Sequence, residues 1–283
     1  MYAFELEDMA FSGGEVLAAV REIELTGEEN GNWYRAREKT LLPLTAFDAI
    51  VVRKDPPFDM RYLLATFLLD VAEAAGARVI NCPAALRDYN EKMAIARFPQ
   101  FVAPTLVCSD ADMLRAFHAT HRDVIFKPLD GMGGSGIFRI MDNGMNLGAV
   151  IETLTENGSR PIMAQKFIPD IAMGDKRVLL IDGQVAPYAL ARIPRDGEVR
   201  GNLAAGGVGV AQPLSARDRE IAETLAPVLA KDGVFLAGLD IIGDWLTEIN
   251  VTSPTCFREI AAQTGFDAAE MFFGALTKQL ETI

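Results

Sequence analysis

Gly238-Leu239-Asp240-Ile241-Ile242-Gly243-Asp244-Trp245-Leu246-Thr247-Glu248-Ile249-Asn250 reads as two apolar strands that turn at Gly243-Asp244. Alternate residues of a strand share a face, so Glu248 and Asn250 point the same way. Whether Asp240 joins them depends on the turn. A two-residue turn pairs Asp240 with Thr247 and turns Glu248 away. A three-residue turn, Gly243 to Trp245, sets Asp240 opposite Glu248. The three-residue turn is expected. Both carboxylates stand among Leu and Ile, where an unpaired charge is costly. Two carboxylates and an amide oxygen are hard ligands, suited to Mg²⁺ held jointly with nucleotide phosphates.

About a hundred residues upstream, Gly131-Met132-Gly133-Gly134-Ser135-Gly136 satisfies G-x-G-x-x-G. A dinucleotide site needs a helix after that loop, to hold pyrophosphate at its N-terminus. Here Ile137-Phe138-Arg139-Ile140 follows, and these are strand formers. The reading that remains is a strand–loop–strand flap whose amides can cradle phosphates. Lys127 lies just before it and can supply a cation. A protein kinase also carries a glycine flap, and His121-Arg122-Asp123 imitates its catalytic triplet. That triplet precedes the flap here, and no Asp-Phe-Gly follows, so the kinase reading fails.

Between Ile171 and Val210 the balance of charge turns locally positive, through Lys176, Arg177, Arg192, Arg195 and Arg200. Arginine's planar fork suits carboxylates and phosphates. The small-residue run from Gly201 to Gly209 follows, and a mobile loop carrying Arg200 and Asn202 can close over a reaction. Cys256 has no histidine in its half of the chain and reads as a structural thiol, not a nucleophile.

The whole chain has 283 residues, enough for two domains. Its net charge of −12 argues against nucleic acid or an anionic membrane as partner. No apolar run is long enough to span a bilayer, and no signal peptide is evident. Cys82, Cys108 and Cys256 are sparse and odd in number, as expected of reduced thiols in the cytoplasm. The first ninety or so residues are read as alternating strand and helix. Phe47 to Val52, Arg61 to Ala75 and Ala77 to Ile80 form a βαβ unit with a Gly76 stop. Asn90 to Arg97 is expected to be helical, and Ser109 and Asp110 to cap a helix running to Ala119. Strands are expected at Thr105 to Cys108, Asp123 to Leu129, Ile137 to Met141, Ile162 to Phe167, Arg177 to Ile181 and Val185 to Ile193. Long helices should cover about 216–230 and 267–280.

Together these features resemble the ATP-grasp ligases. Five strings are similar to the prokaryotic glutathione synthetase family in particular: Arg53 to Asp59, Lys127 to Gly134, Leu190 to Pro194, Arg200 to Gly207, and Leu239 through Thr255. The resemblance implies an α/β chain with an ATP-grasp fold, its lid and C-terminal portions α+β in style, preceded by a small parallel-sheet pre-ATP-grasp domain. The division implied is 1–90 for that N-terminal substrate domain and 91–283 for the ATP-grasp domain, with the lid at about 91–165 and the catalytic portion at about 166–283. It implies that Lys92, Lys127 and the loop glycines Gly131, Gly133 and Gly134 contact phosphates. Gln165, Lys166, Phe167 and Ile168 border the adenine, and Asp175 faces the ribose. Asp240, Glu248 and Asn250 bind Mg²⁺, with Mn²⁺ as an alternative. Arg177, Arg192, Arg200 and Asn202 face the reacting carboxylate and the transferred phosphoryl group, so Arg200→Ala should lower kcat far more than ATP affinity. Arg53, Ser253 and Thr255 help to hold the peptide substrate.

The reaction implied joins γ-glutamylcysteine and glycine at the expense of ATP, in a cytoplasmic homo-oligomer, a tetramer by resemblance. Two departures bear on this. The family opens with one more strand and helix before the segment aligned to Tyr2–Glu7, so a first βα unit is expected to be missing. Val208 stands where the family has a basic residue in the mobile loop. Two other readings are a ligase for another amino-acid pair and a nucleotide-binding protein without turnover.

Overall fold

A computed structural model describes residues 1–27, 32–195, 197, 198, 201, 203 and 206–281. The N-terminal segment differs from the alternating pattern expected of it. Strands β1 (Tyr2–Ala3), β2 (Met9–Ser12), β3 (Glu15–Leu25) and β4 (Tyr34–Pro43) form an antiparallel sheet in which the other three all pair with β3. The cause is legible in β3 itself. Val16, Ala18 and Val20 are buried while Glu15 and Arg21 face solvent, the period-two alternation of a half-buried strand. Gly13 and Gly14 turn β2 into β3 with φ of 62° and 90°, values that glycine reaches without strain.

The βαβ unit follows as expected. Strand β5 (Ile50–Val51) pairs in parallel with β6 (Val79–Ile80) across helix α1 (Met60–Ala74). Asp59 caps α1, its carboxylate accepting from the amides of Arg61 and Tyr62. A short helix α2 (Pro83–Asp88) comes next, and the segment expected to be helical at Asn90 to Arg97 holds only a 3₁₀ turn, Met93–Arg97.

A second antiparallel sheet runs in the order β7 (Thr105–Cys108), β10 (Ile162–Lys166), β8 (Val124–Pro128), β9 (Phe138–Ile140). Helices α3 (Ala111–His121) and α4 (Leu147–Leu154) pack on it through Leu114 and Ile151, both fully buried against Phe126 and Ile162. Asp110 caps α3, as expected, and the helix runs two residues past Ala119.

The third sheet is β13 (Val208–Pro213), β12 (Gln184–Ile193), β11 (Asp175–Ile181), β14 (Leu236–Ile242), β15 (Trp245–Asn250). It is covered on both faces. Val178 and Leu180 of β11 face helix α5 (Ala216–Lys231), while Leu179 and Ile181 face α6 (Phe257–Thr264) and α7 (Ala268–Glu281). Ile221, Leu225 and Leu229 line the buried stripe of α5, each worth about 1.5–3 kcal/mol on burial. Asn81 joins the N-terminal segment to this sheet. Its buried amide donates to the carbonyls of Leu236 and Val251 at 2.8 and 2.7 Å, and its oxygen accepts from the amides of Phe235 and Leu236.

Candidate active site

The hairpin places its charges by a different device from the one expected. Ile242 pairs with Trp245 and Ile241 with Leu246, so the turn has two residues, Gly243 and Asp244. Asp240 nevertheless pairs with Glu248, because Thr247 is an extra residue in β15. Such a bulge flips the side-chain phase beyond it. The Thr247 hydroxyl donates to the Asp240 carbonyl at 3.1 Å.

Sheet register then assembles a charged face. Arg177 lies across the ladder from Asp240, and Asp175 from Arg192. Asp175 and Arg177 are two apart, so all four side chains share one side. Arg177 Nε and Nη2 donate to Asp240 at 2.6 and 3.2 Å, and Arg192 Nη2 lies 2.9 Å from the same carboxylate. Arg192 also donates to Asp175 Oδ2 at 2.5 Å. Burial alone would raise the Asp240 pKa, but the two guanidiniums outweigh it and hold the carboxyl below its usual range. Asp175 goes the other way. Burial pushes it up to about 7 against the pull of Arg192, with repulsion from Asp240 and Glu248 added. Its Oδ1 is buried without a hydrogen-bond partner.

Lys92 and Lys127 converge on Glu248, with ammonium nitrogens 3.6 and 3.8 Å from Oε1. Lys92 Nζ also donates to the Gly131 carbonyl at 2.5 Å, which ties the glycine flap to the hairpin. Burial lowers the Lys127 pKa, and Glu248 resists that shift. Gly133 and Gly134 take φ of 62° and 80°, so a side chain at either position would strain the flap.

These groups line one cleft. On it lie Lys92, Lys127, Gly131, Gly133, Gly134, Gln165, Lys166, Phe167, Ile168, Asp175, Asp240 and Glu248, all expected from sequence. Ile125, Ile137, Ile171 and Ile242 supply an apolar wall that went unforeseen. Ile125 could have been found, since it is two residues from Lys127 on the same strand face. Arg139 adds a brace: its guanidinium stacks 3.5 Å from the Phe167 ring centre and is forked on Asp123 at 2.9 and 2.6 Å.

Other expected residues sit elsewhere. Asn250 donates its Nδ2 to the Gly238 carbonyl at 3.2 Å, leaving Oδ1 as its acceptor. Arg177 and Arg192 spend their guanidinium bonds on Asp240 and Asp175. Arg53 Nη2 donates to the Pro254 carbonyl at 2.8 Å, and the Ser253 hydroxyl bonds Asp55. Those contacts bring Arg53, Ser253 and Thr255 to one loop beside Arg177, since both Arg177 and Pro254 crowd Gly238. Arg200 and Asn202 lie outside the described residues. Cys256 is buried, which raises its thiol pKa, as suits a structural cysteine.

The donor chemistry fits a hard divalent cation shared with phosphate. Glu248 and Asp240 offer carboxylate oxygens on one face, and Asn250 offers an amide oxygen two residues from Glu248. Among the described residues no cluster of three His, Cys, Asp or Glu side chains forms a self-sufficient metal cage. Lys92, Lys127 and Lys166 line the cleft beside Asp175, Asp240 and Glu248, and together with the flap amides these lysines can meet a phosphate chain.

Two family profiles match the chain: "Prokaryotic glutathione synthetase, N-terminal domain" over residues 1–87 and "Prokaryotic glutathione synthetase, ATP-grasp domain" over residues 91–265. The chain belongs to the prokaryotic glutathione synthetase family. The glutathione synthetase of Ralstonia nicotianae is 59% identical over 278 residues, 98% of this chain and 86% of that protein. That of Neisseria meningitidis serogroup A is 56% identical over 274 residues, 96% and 86% of the two chains. As a member of this family the protein is an ATP-dependent ligase acting on small molecules, and the family works with divalent metal ions. The fold is ATP-grasp. The crystal structure of the D-cycloserine synthetase DcsG superposes with a TM-score of 0.66 at 20% identity, over 89% of this chain and 87% of that one. The ATP-grasp ligase PsnB, complexed with a precursor peptide and AMPPNP, gives 0.61 at 21%, over 92% and 85%. No helix among the described residues is long and apolar enough to cross a membrane.

Proposed function

We propose that the protein joins γ-glutamylcysteine to glycine, forming glutathione, ADP and phosphate through an acyl phosphate. The observation that carries this is the convergence of Lys92, Lys127 and the glycine flap on Glu248, opposite Asp240, in a chain of this family. The phosphates of ATP lie along Lys92, Lys127 and the flap amides. The adenine rests on Gln165 to Ile168 against the isoleucine wall, and the free Oδ1 of Asp175 accepts from the ribose. Asp240, Glu248 and Asn250 hold Mg²⁺, with Mn²⁺ able to substitute. The cation neutralises phosphate charge when bound.

The cysteinyl carboxylate of the dipeptide attacks the γ-phosphorus and releases ADP. The glycine amine then attacks the acyl carbon and expels phosphate. No side chain acts as nucleophile; the protein aligns the reactants and neutralises charge. Arg177 and Arg192 keep Asp240 ionised and aimed. Arg200 and Asn202 meet the transferred group, and Arg53, Ser253 and Thr255 hold the dipeptide. Keeping water from the acyl phosphate falls to the closing loop that carries Arg200 and Asn202. Residues 1–90 serve as the substrate domain and 91–283 as the ATP-grasp domain. The working form is a cytoplasmic homotetramer.

The test is ADP release with each substrate omitted in turn. Release should need ATP, a divalent cation and γ-glutamylcysteine, and should run to completion only with glycine. Equal release with unrelated amino-acid pairs would sink the assignment.

A further inference from the structure

Asn90, Glu91 and Lys92 form a joint between the two halves of the cleft. Asn90 Nδ2 donates to the Leu129 carbonyl at 3.2 Å, at the entry to the glycine flap, and Asn90 Oδ1 accepts from the amides of Lys92 and Met93. Glu91 reaches the other way. Its Oε1 accepts from the amides of Val251 and Thr252 at 3.0 and 3.1 Å and from the Thr252 hydroxyl at 2.8 Å. Its own carbonyl accepts from the Ile249 amide at 2.9 Å. Lys92 then enters the cleft between Gly131 and Glu248.

Val251 and Thr252 are both buried, so their amides depend on this carboxylate. They directly follow Asn250 and precede Ser253. One side chain therefore fixes where strand β15 ends, relative to the lysine beside it. We propose that Glu91 is a positioning residue that registers the oxygen donors Glu248 and Asn250 against Lys92. The proposal rests on the ligase reading above in assigning those donors to the cation. Outer partners of this kind set ligand aim, and losing one costs about 10–100-fold in metal affinity or activity.

The experiment compares Glu91→Ala and Glu91→Gln with the parent. Retention of Mn²⁺ by the complex with a non-hydrolysable ATP analogue is read by EPR, alongside kcat for ADP release, analogue affinity without metal, and thermal melting. Glu91→Ala should weaken Mn²⁺ retention and lower kcat by about 10–100-fold. Metal-free analogue affinity should stay within about threefold, a difference under 1 kcal/mol. Glu91→Gln retains an oxygen that accepts from both amides and should stay close to the parent. Parent-like Mn²⁺ retention in a folded Glu91→Ala protein overturns the proposal. So does Glu91→Gln as impaired as Glu91→Ala, or a loss in every parameter that only tracks the unfolded fraction. If Glu91→Ala does not fold, Thr252→Val removes one of the three donors and should still weaken Mn²⁺ retention; an unchanged value there overturns the proposal as well. A parent that releases no ADP with γ-glutamylcysteine and glycine would sink the ligase reading alone, since the Mn²⁺ measurement needs neither acceptor nor donor substrate.

Discussion

Asp240 faces Glu248 across the β14–β15 ladder only because Thr247 bulges out of it. The two carboxylates are neighbours with different duties. Asp240 is buried between two guanidiniums, while Glu248 is partly open to the cleft and meets two ammoniums at longer range.

Their removal should therefore separate stability from activity. Asp240→Ala strands Arg177 and Arg192 without their shared counter-ion, and breaking a buried pair in this way costs about 3–5 kcal/mol. Glu248→Ala should cost less than Asp240→Ala, because its carboxylate is partly solvated and its two ammonium contacts are longer. Both variants should lose ADP release. Urea unfolding decides the point, and equal stability losses would contradict the assignment.

Asp175 should make the protein less stable as pH rises. Its carboxyl sits at about 7 in the folded state against an ordinary 3.8, so the folded chain binds the proton more tightly than the unfolded chain. Stability then falls as pH climbs from near 3.8 to near 7 and is level above that window. Asp240 has the opposite sign: its depressed pKa adds stability above 3.8 that is lost on acidification. With Asp175→Asn, the stability of the variant relative to the parent should grow between those two pH values and then flatten. A difference in urea midpoints that ignores pH would refute this.

Asn81→Ala should be costly even though no charge is lost. The amide satisfies two carbonyls and two amide groups in a buried seam. Leaving them unpaired should cost at least about 2–4 kcal/mol, at about 1–3 per orphaned group with partial relaxation. Denaturant midpoints test this directly.

Arg139→Ala should act on nucleotide binding and not on chemistry. The guanidinium braces Phe167 from the flap side at 3.5 Å. Losing a contact worth about 1 kcal/mol should raise the ATP KM roughly fivefold with kcat little changed. A fall in kcat at constant KM would place Arg139 elsewhere in the mechanism.

The chemistry-bearing residues were legible because their types are unusual where they stand. A carboxylate within an apolar strand, a lysine before a glycine run and arginines in an acidic chain each demand a partner. Of the isoleucine wall only Ile125 was legible, from its place two residues before Lys127; Ile137, Ile171 and Ile242 look like any other apolar residue, whether they face a core or a ligand. The antiparallel front, β1 to β4, was missed although β3 alternates plainly; its exposed partner β4 carries no such pattern. Glu91 drew no attention either, because its partners lie 160 residues or more away in the chain.

The sequence by itself determined the strand that carries Glu248 and Asn250, the flap with Lys127, and the family to which the chain belongs. These rest on local pattern and residue type, which a linear reading captures. Only the tertiary structure decided that Thr247 is the bulge, that Arg177 and Arg192 close on Asp240 and Asp175, and that Glu91 holds the end of β15. Each depends on register between strands or on contacts between distant segments, and those are fixed when the whole core packs.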